Sequence, residues 1–110
     1  MYLDYLAVPT SILTSITNAR IVPVTFSLFQ NYPNPFNPTT KIKFSLTSPE
    51  MVKLTVYNVL GQKVETLIDQ RLASGEYIVD FDGSKLASGV YFYRLQAGKF
   101  DETREMVLLK

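Results

Sequence analysis

The chain has 110 residues, which fits one domain with a single core and hardly two. Hydrophobic residues make up 46% of it, charged residues make up 19%, and the net charge is +1, as in an ordinary globular domain. Lysines and arginines are scattered, which argues against a nucleic-acid or anionic-membrane partner. No stretch approaches the roughly 18 apolar residues of a membrane span.

Cysteine and histidine are both absent. This excludes zinc sites built on Cys or His, cysteine nucleophiles, Ser-His-Asp triads and histidine general bases. The carboxylates have no evident partner or apolar pocket to raise a pKa, and a calcium site at Asp80 and Asp82 would lack the EF-hand spacing. We therefore predict that the chain is not an enzyme and holds no cofactor or metal.

Residues 1–25 are apolar but irregular in pattern and contain two prolines. They match neither a regular strand series nor a signal peptide, because a basic start and a long apolar stretch are missing. This segment is predicted to be a linker or N-terminal extension, or to add one edge strand to the domain formed by residues 26–110.

The residues from 40 onwards alternate between polar and apolar, which is typical of strands with one buried and one exposed face. Residues 41–46 and 52–56 alternate without a fault, and Pro49 favours a turn between them. Residues 63–68 predict a less regular strand, and residues 69–75 predict a loop.

Four more strands are predicted at residues 26–30, 77–81, 90–95 and 100–109, with a hairpin tip at Gly98. Seven short strands without helices between them indicate an all-β antiparallel sandwich of immunoglobulin-like architecture. The predicted core consists of Ile42, Phe44, Leu46, Val52, Leu54, Val56, Tyr77, Val79, Phe81, Tyr91, Tyr93, Leu95, Met106 and Leu108.

The final strand runs almost to Lys110, so we expect it to be tied into a sheet with Lys110 in water. The alternative is an edge strand that another protein can pair with. In Tyr91-Phe92-Tyr93, both tyrosines are predicted to face the core and Phe92 the opposite face; the alternative is a stacking platform for sugar rings or bases.

The stretch NYPNPFNPTT, residues 31–40, contains three prolines. A proline fixes its own φ and pushes the preceding residue towards extended conformations, so the stretch should be a stiff, non-helical corner and not a loose tether. Asn34 and Asn37 can bond nearby backbone groups. Phe36 is expected to pin the corner to the sandwich, and Tyr32 is a second candidate for this role.

Four segments resemble one known family. Residues 31–40 resemble its opening motif, and residues 86–95, LASGVYFYRL, resemble its central strand signature. Residues 104–110, REMVLLK, resemble its terminal motif, and residues 56–64, VYNVLGQKV, fit the strand and turn between them. Residues 26–110 are therefore similar to the C-terminal sorting domain of the type IX (Por) secretion system, known from Bacteroidetes-like bacteria.

The resemblance implies a transport signal for an upstream cargo protein. Such domains follow a cargo that crosses the inner membrane under a separate signal, fold in the periplasm and are recognised by outer-membrane components, and a surface sortase removes many of them. The cargo then lies at the cell surface or in the medium. One departure is that many members carry two basic residues before the methionine, whereas here Arg104 is followed by the acidic Glu105.

Carried over to this chain, the resemblance implies two sets of residues. The set expected to be recognised by the secretion machinery is Gly89, Arg104, Met106, Val107, Leu108, Leu109 and Lys110. The set expected to carry the structural motif is Tyr32, Pro33, Asn34, Pro35, Phe36, Asn37, Pro38, Gly61 and Tyr91. The alternative function is an accessory immunoglobulin-like structural or carbohydrate-binding module of a larger exported protein, and flagellar hook-capping proteins carry a similar sandwich.

Overall fold

A computed structural model describes residues 23–110, and the predictions for residues 1–22 lie outside this range. The strands are β1 (Ser27–Leu28), β2 (Thr39–Leu46), β3 (Glu50–Tyr57), β4 (Lys63–Leu72), β5 (Gly75–Asp82), β6 (Gly89–Ala97) and β7 (Phe100–Leu108). They form two antiparallel sheets with the orders β1-β2-β5 and β4-β3-β6-β7. The predicted all-β sandwich of seven strands is confirmed. No helix within residues 23–110 is long and apolar enough to cross a membrane.

The core lies between the two sheets and follows the alternation of the sequence. Phe44 on β2, Leu54 on β3 and Tyr93 on β6 are completely buried. Of the predicted core, only Tyr77 and Val79 are half-buried, and both pack against the buried cluster. They belong to β5, an edge strand with a neighbour on one side only, so less protein covers them.

Strand β4 is longer than predicted, and the loop expected at residues 69–75 is confined to residues 73 and 74. The strand continues to Leu72 because Asp69, Gln70 and Arg71 pair with the regular strand β3. Two register shifts opposite residues 54–57 explain why its pattern looked irregular. An exposed edge strand tolerates polar residues on both faces, so these residues gave no strand signal.

The strand predicted at residues 26–30 shrinks to Ser27–Leu28. The continuous ladder to β2 is interrupted after one further hydrogen bond, from Phe29 N to Lys43 O at 3.0 Å, and pairing resumes only as an isolated bridge at Tyr32. Gln30 then turns away towards β7, where its side chain donates to the Glu105 carbonyl.

Residues 30–38, called the corner below, pass from one sheet to the other. At its start, Tyr32 exchanges two backbone hydrogen bonds with Lys41 of the three-stranded sheet, at 2.9 and 3.0 Å. At its end, Phe36 forms a parallel bridge with Leu108 of the four-stranded sheet. The peptide bonds before Pro33, Pro35 and Pro38 are cis. The expected stiff corner is thus anchored at both ends.

Candidate recognition surface

The final strand β7 is an edge strand of the four-stranded sheet and pairs with β6 on one side only. The corner covers the outward backbone groups on its other side. Phe36 N donates to the Val107 carbonyl at 2.9 Å, and Leu109 N donates to the Phe36 carbonyl at 3.0 Å. Asn34 Oδ1 accepts a hydrogen bond from Val107 N at 2.9 Å.

Gln30 extends this cover by one more residue, since its Nε2 donates to the Glu105 carbonyl at 2.7 Å. The outer edge of β7 is therefore occupied from residue 105 to residue 109. This cover argues against the alternative of an edge strand free to pair with another protein here, because the Glu105 carbonyl, both backbone groups of Val107 and Leu109 N already have partners within the chain.

A buried polar network holds the corner in place. The Tyr93 hydroxyl donates to the Phe29 carbonyl at 2.7 Å and accepts from Asn31 N at 2.8 Å. The Asn31 side chain is buried, and its Nδ2 donates to the Pro33 carbonyl and to Thr40 Oγ1. Burial raises the pKa of the Tyr93 phenol to about 12, so this group stays protonated and can donate.

The corner packs on the core through the ring of Phe36, and Gly83 leaves room for this ring. The ring of Phe36 is buried and lies edge-on to the ring of Phe81, with the centroids 6.0 Å apart. A Cβ built on Gly83 would lie 3.3 Å from this ring and 3.1 Å from the Leu108 side chain. The predicted anchoring by Phe36 is confirmed, whereas Tyr32 is 80% exposed and does not pin the corner.

Several of the predicted site residues meet at one end of the four-stranded sheet. Gly89, which begins β6, pairs with Leu108, which ends β7. Tyr57, which ends β3, lies at the same end, so the β3–β4 turn that contains Gly61 also projects there. We call this the distal end of the sandwich.

The chain enters the domain at the opposite end of the sandwich. Phe26, just before β1, stacks on Phe100, the first residue of β7, with ring centroids 5.7 Å apart. Strand β7 has nine residues, so it separates Phe26 from the distal end by roughly 27 to 30 Å. Residues 23–26 therefore leave the distal end uncovered.

The residues of the terminal motif differ sharply in what they can contact. Met106 and Leu108 are completely buried in the core. Val107 is half-buried, Leu109 is 54% exposed, and Lys110 is exposed with its Nζ donating to the Ser84 carbonyl at 2.6 Å. The expectation that Lys110 lies in water is confirmed. Within this motif, Glu105, Leu109 and Lys110 are exposed and offer a partner substantial side-chain surface, and Val107 offers part of its own.

Arg104 is engaged within the domain. Its Nε donates to the Leu28 carbonyl at 2.6 Å, and its Nη2 lies 3.0 Å from a carboxylate oxygen of Glu102. Arg104 thus links β7 to β1 across the two sheets. Glu105, the acidic departure from the family pattern, is exposed.

The β3–β4 turn is held rigidly by Asn58. Asn58 Oδ1 accepts hydrogen bonds from Leu60 N and Gln62 N at 2.9 and 3.0 Å, and Asn58 N donates to the Gln62 carbonyl at 3.0 Å. Gly61 supplies the left-handed conformation with φ of +80°. Val59 and Leu60 stand out from this turn, 65% and 78% exposed. The sequence analysis named Gly61 but missed these two side chains.

The outward face of the four-stranded sheet carries a shallow groove beside this turn, lined by Tyr57, Phe92, Arg94 and Asp101 among others. Arg94 makes two hydrogen bonds to Asp101, at 2.8 and 2.6 Å, which hold the pKa of that carboxyl below its ordinary value. The prediction that Phe92 faces away from the core is confirmed. Tyr57 and Phe92 are half-buried, so they do not present the flat exposed row that a sugar-binding face needs.

The acidic residues singled out from the sequence are engaged separately. Asp80 pairs with Lys41 at 2.6 Å, and Asp82 accepts a hydrogen bond from Ser84 N, which lowers its pKa. Within residues 23–110, no three carboxylates come together in a way that could hold a metal ion.

Comparison with protein families gave a match over most of the chain. The model of the secretion system C-terminal sorting domain matches residues 30–109. The chain belongs to this family. Searches among curated proteins and among solved structures found no match.

Membership gives the coarse function of the chain. A C-terminal sorting domain of the type IX system directs the protein to which it is joined through the outer membrane, to the cell surface or the medium. It interacts with the secretion system and with an upstream cargo, and the family is not known to be catalytic.

Proposed function

We propose that the sorting signal of this domain is a folded surface at the distal end of the sandwich. The surface is formed by the end of β7, the start of β6 at Gly89 and the turn at Gly61. The main support for this proposal is that the register of the four-stranded sheet brings these three segments to one end, while the chain enters at the other end. A cargo joined at the entry end then leaves the surface accessible.

The residues of the terminal motif divide between two roles in this proposal. Met106 and Leu108 are buried and act as positioning residues that fix the strand in the core. Val107, Leu109 and Lys110 face outwards and contact the secretion machinery. Arg104 positions the strand through its hydrogen bond to β1.

The proposed division of the chain is a sorting domain at residues 26–110 preceded by a linker or extension at residues 1–25. The proposed partners are outer-membrane components of the type IX system, followed by a surface sortase. Folding takes place in the periplasm, and the buried core and the anchored corner support recognition of the folded state.

The decisive experiment must separate recognition from folding, since deleting residues 106–110 removes two core side chains. We therefore choose the double variant Leu109→Ser/Lys110→Ala, which keeps the Leu109 N–H that bonds to Phe36. The full chain is joined behind an exported reporter in a host with a type IX system. The reporter is expected to accumulate in the periplasm while the thermal unfolding midpoint of the chain stays unchanged.

The matched control is Met51→Ser/Lys53→Ala, which alters an exposed apolar residue and a lysine near the start of β3, at the opposite end of the sheet. This control should reach the surface like the unaltered chain. Normal surface display of the Leu109→Ser/Lys110→Ala variant would contradict the proposal.

A further inference from the structure

The β3–β4 turn exposes two neighbouring aliphatic side chains on a rigid support. Val59 and Leu60 are 65% and 78% exposed, although Val and Leu are usually buried in a domain of this size. Three hydrogen bonds involving Asn58, together with one from Gly61 N to the Asn58 carbonyl, fix the turn that carries them. The two side chains are therefore presented in a fixed arrangement.

This turn lies close to the end of the final strand. It continues β3 beyond Tyr57, which pairs with Phe92, and Leu108 pairs with Gly89, three residues before Phe92 at the start of β6. Strand β6 alone separates β3 from β7, so the two strands are roughly 10 Å apart. Val59, Leu60 and the exposed Leu109 thus fit within the footprint of one protein partner, which is typically some tens of ångströms across.

We propose that Val59 and Leu60 are the apolar anchor of the recognition surface and insert into an apolar pocket on a protein of the secretion machinery. The inference rests on the proposed function and identifies the part of the surface that supplies binding free energy. Binding of a preformed turn avoids the entropy cost of ordering a loop, which is what makes a small apolar contact effective.

The charged groups around the turn are of both signs, so this end has no excess of positive charge that would draw it to an anionic membrane. Lys63 begins β4 at the base of the turn, opposite Tyr57. Lys85 and Lys110 flank Ser84 at the same end, and Lys110 bonds to the Ser84 carbonyl. Glu105 pairs with Phe92 in the same row of the sheet as Tyr57 and Lys63, so with Asp82 and Glu65 it equals these three lysines in number.

A lipid surface is a weaker fit for the same side chains. A single myristoyl chain gives only marginal and reversible membrane binding, and two aliphatic side chains bury less apolar surface than such a chain. The turn also lacks the Trp and Tyr side chains that anchor proteins at a membrane interface. The protein pocket is therefore the occupant that the geometry favours.

The test compares the export of three double variants of the full chain behind the same reporter. Val59→Ser/Leu60→Ser should lower the exported fraction at least about tenfold, as the loss of an interface hot spot does. Met51→Ser/Ile78→Ser, which alters two apolar residues of 55% and 63% exposure elsewhere on the domain, should be exported normally. Val59→Ile/Leu60→Met keeps the turn apolar and should also be exported.

Thermal unfolding of each variant shows whether folding is preserved, and the single variant Leu60→Ser replaces the double variant if that one is unstable. This inference would be overturned if the Val59 and Leu60 serine variants were exported normally while the reporter carrying Leu109→Ser/Lys110→Ala stayed in the periplasm. The proposed function would then still stand. Normal export of all these variants would overturn both. Binding of the full chain to vesicles of phospholipid and lipopolysaccharide, lost on Val59→Ser/Leu60→Ser, would assign the anchor to a membrane and overturn the protein pocket.

Discussion

Phe36 and Leu108 lie side by side in a parallel bridge that joins the corner to the last residue of β7. Both side chains are buried, and the Phe36 backbone bonds to Val107 and to Leu109. The opening motif of the domain therefore closes the outer edge of its final strand. A partner that binds this end of the domain therefore meets mainly side chains, since most of the outward backbone groups of residues 105–109 are already paired.

Replacing Phe36 by Ala should destabilise the domain by about 3 kcal/mol, because the ring is buried and its removal leaves a cavity against Phe81 and Leu108. Denaturant unfolding of the full chain measures the effect. Tyr32→Ala, in the same corner but 80% exposed, is the control and should change the free energy of unfolding by less than about 0.5 kcal/mol. Equal effects of the two changes would contradict the anchoring role of Phe36.

Replacing Asn34 by Ala removes the acceptor for Val107 N and should loosen the edge of β7. A hydrogen bond of this kind contributes about 1 kcal/mol, which corresponds to roughly fivefold faster exchange of the Val107 amide. Hydrogen exchange followed by NMR measures this rate. Asn37→Ala, an exposed asparagine of the same motif, should leave the rate unchanged.

Two buried threonines should respond to valine in opposite directions. Thr40 Oγ1 donates to the Pro33 carbonyl and accepts from Asn31, so Thr40→Val should destabilise the domain by about 1 to 3 kcal/mol. Thr55 Oγ1 is buried without a hydrogen-bond partner among residues 23–110, so Thr55→Val should stabilise it by about 1 kcal/mol. Urea unfolding of both variants checks the pair, and a loss of stability for Thr55→Val would show that its hydroxyl has a partner such as bound water.

Replacing Tyr93 by Phe removes one hydroxyl that serves both the Phe29 carbonyl and the Asn31 amide. We expect a loss of about 1 to 3 kcal/mol, since a buried backbone donor and acceptor lose their partner. Tyr77→Phe is the matched control, because the hydroxyl of Tyr77 donates to the Ala73 carbonyl at an exposed position. A smaller loss for Tyr93 than for Tyr77 would argue against the buried network.

The stability of the domain should fall in strongly alkaline solution through Tyr93. Its pKa is about 12 in the folded chain and about 10 when unfolded, so between these values the folded state holds a proton that the unfolded state has lost. The stabilising contribution is complete below pH 10 and decreases by about 1.4 kcal/mol for each pH unit up to pH 12. Unfolding measured from pH 9 to 12 should show this extra decrease in the unaltered chain and not in Tyr93→Phe.

Much of the fold could be predicted from local patterns. Strict alternation in residues 41–46 of β2 and residues 52–56 of β3 identified the strands and their buried faces, as the complete burial of Phe44 and Leu54 confirms. The same rule failed for β4, because an exposed edge strand with two register shifts has no buried face to impose a period of two. It also could not tell that Tyr77 and Val79 would be only half-buried at the edge of their sheet.

The sequence by itself determined a small β-sandwich without Cys or His, a stiff corner at its proline-rich start, and membership of a sorting-domain family by motifs in a fixed order. The tertiary structure alone decided that Asn34 and Phe36 cover the outer edge of β7, and that the Asn31 side chain is buried within the corner. It also decided that the turn at Gly61 and the end of β7 meet at one end of a sheet. These contacts join residues that are far apart in sequence. They depend on strand order and register, which no local sequence pattern reveals.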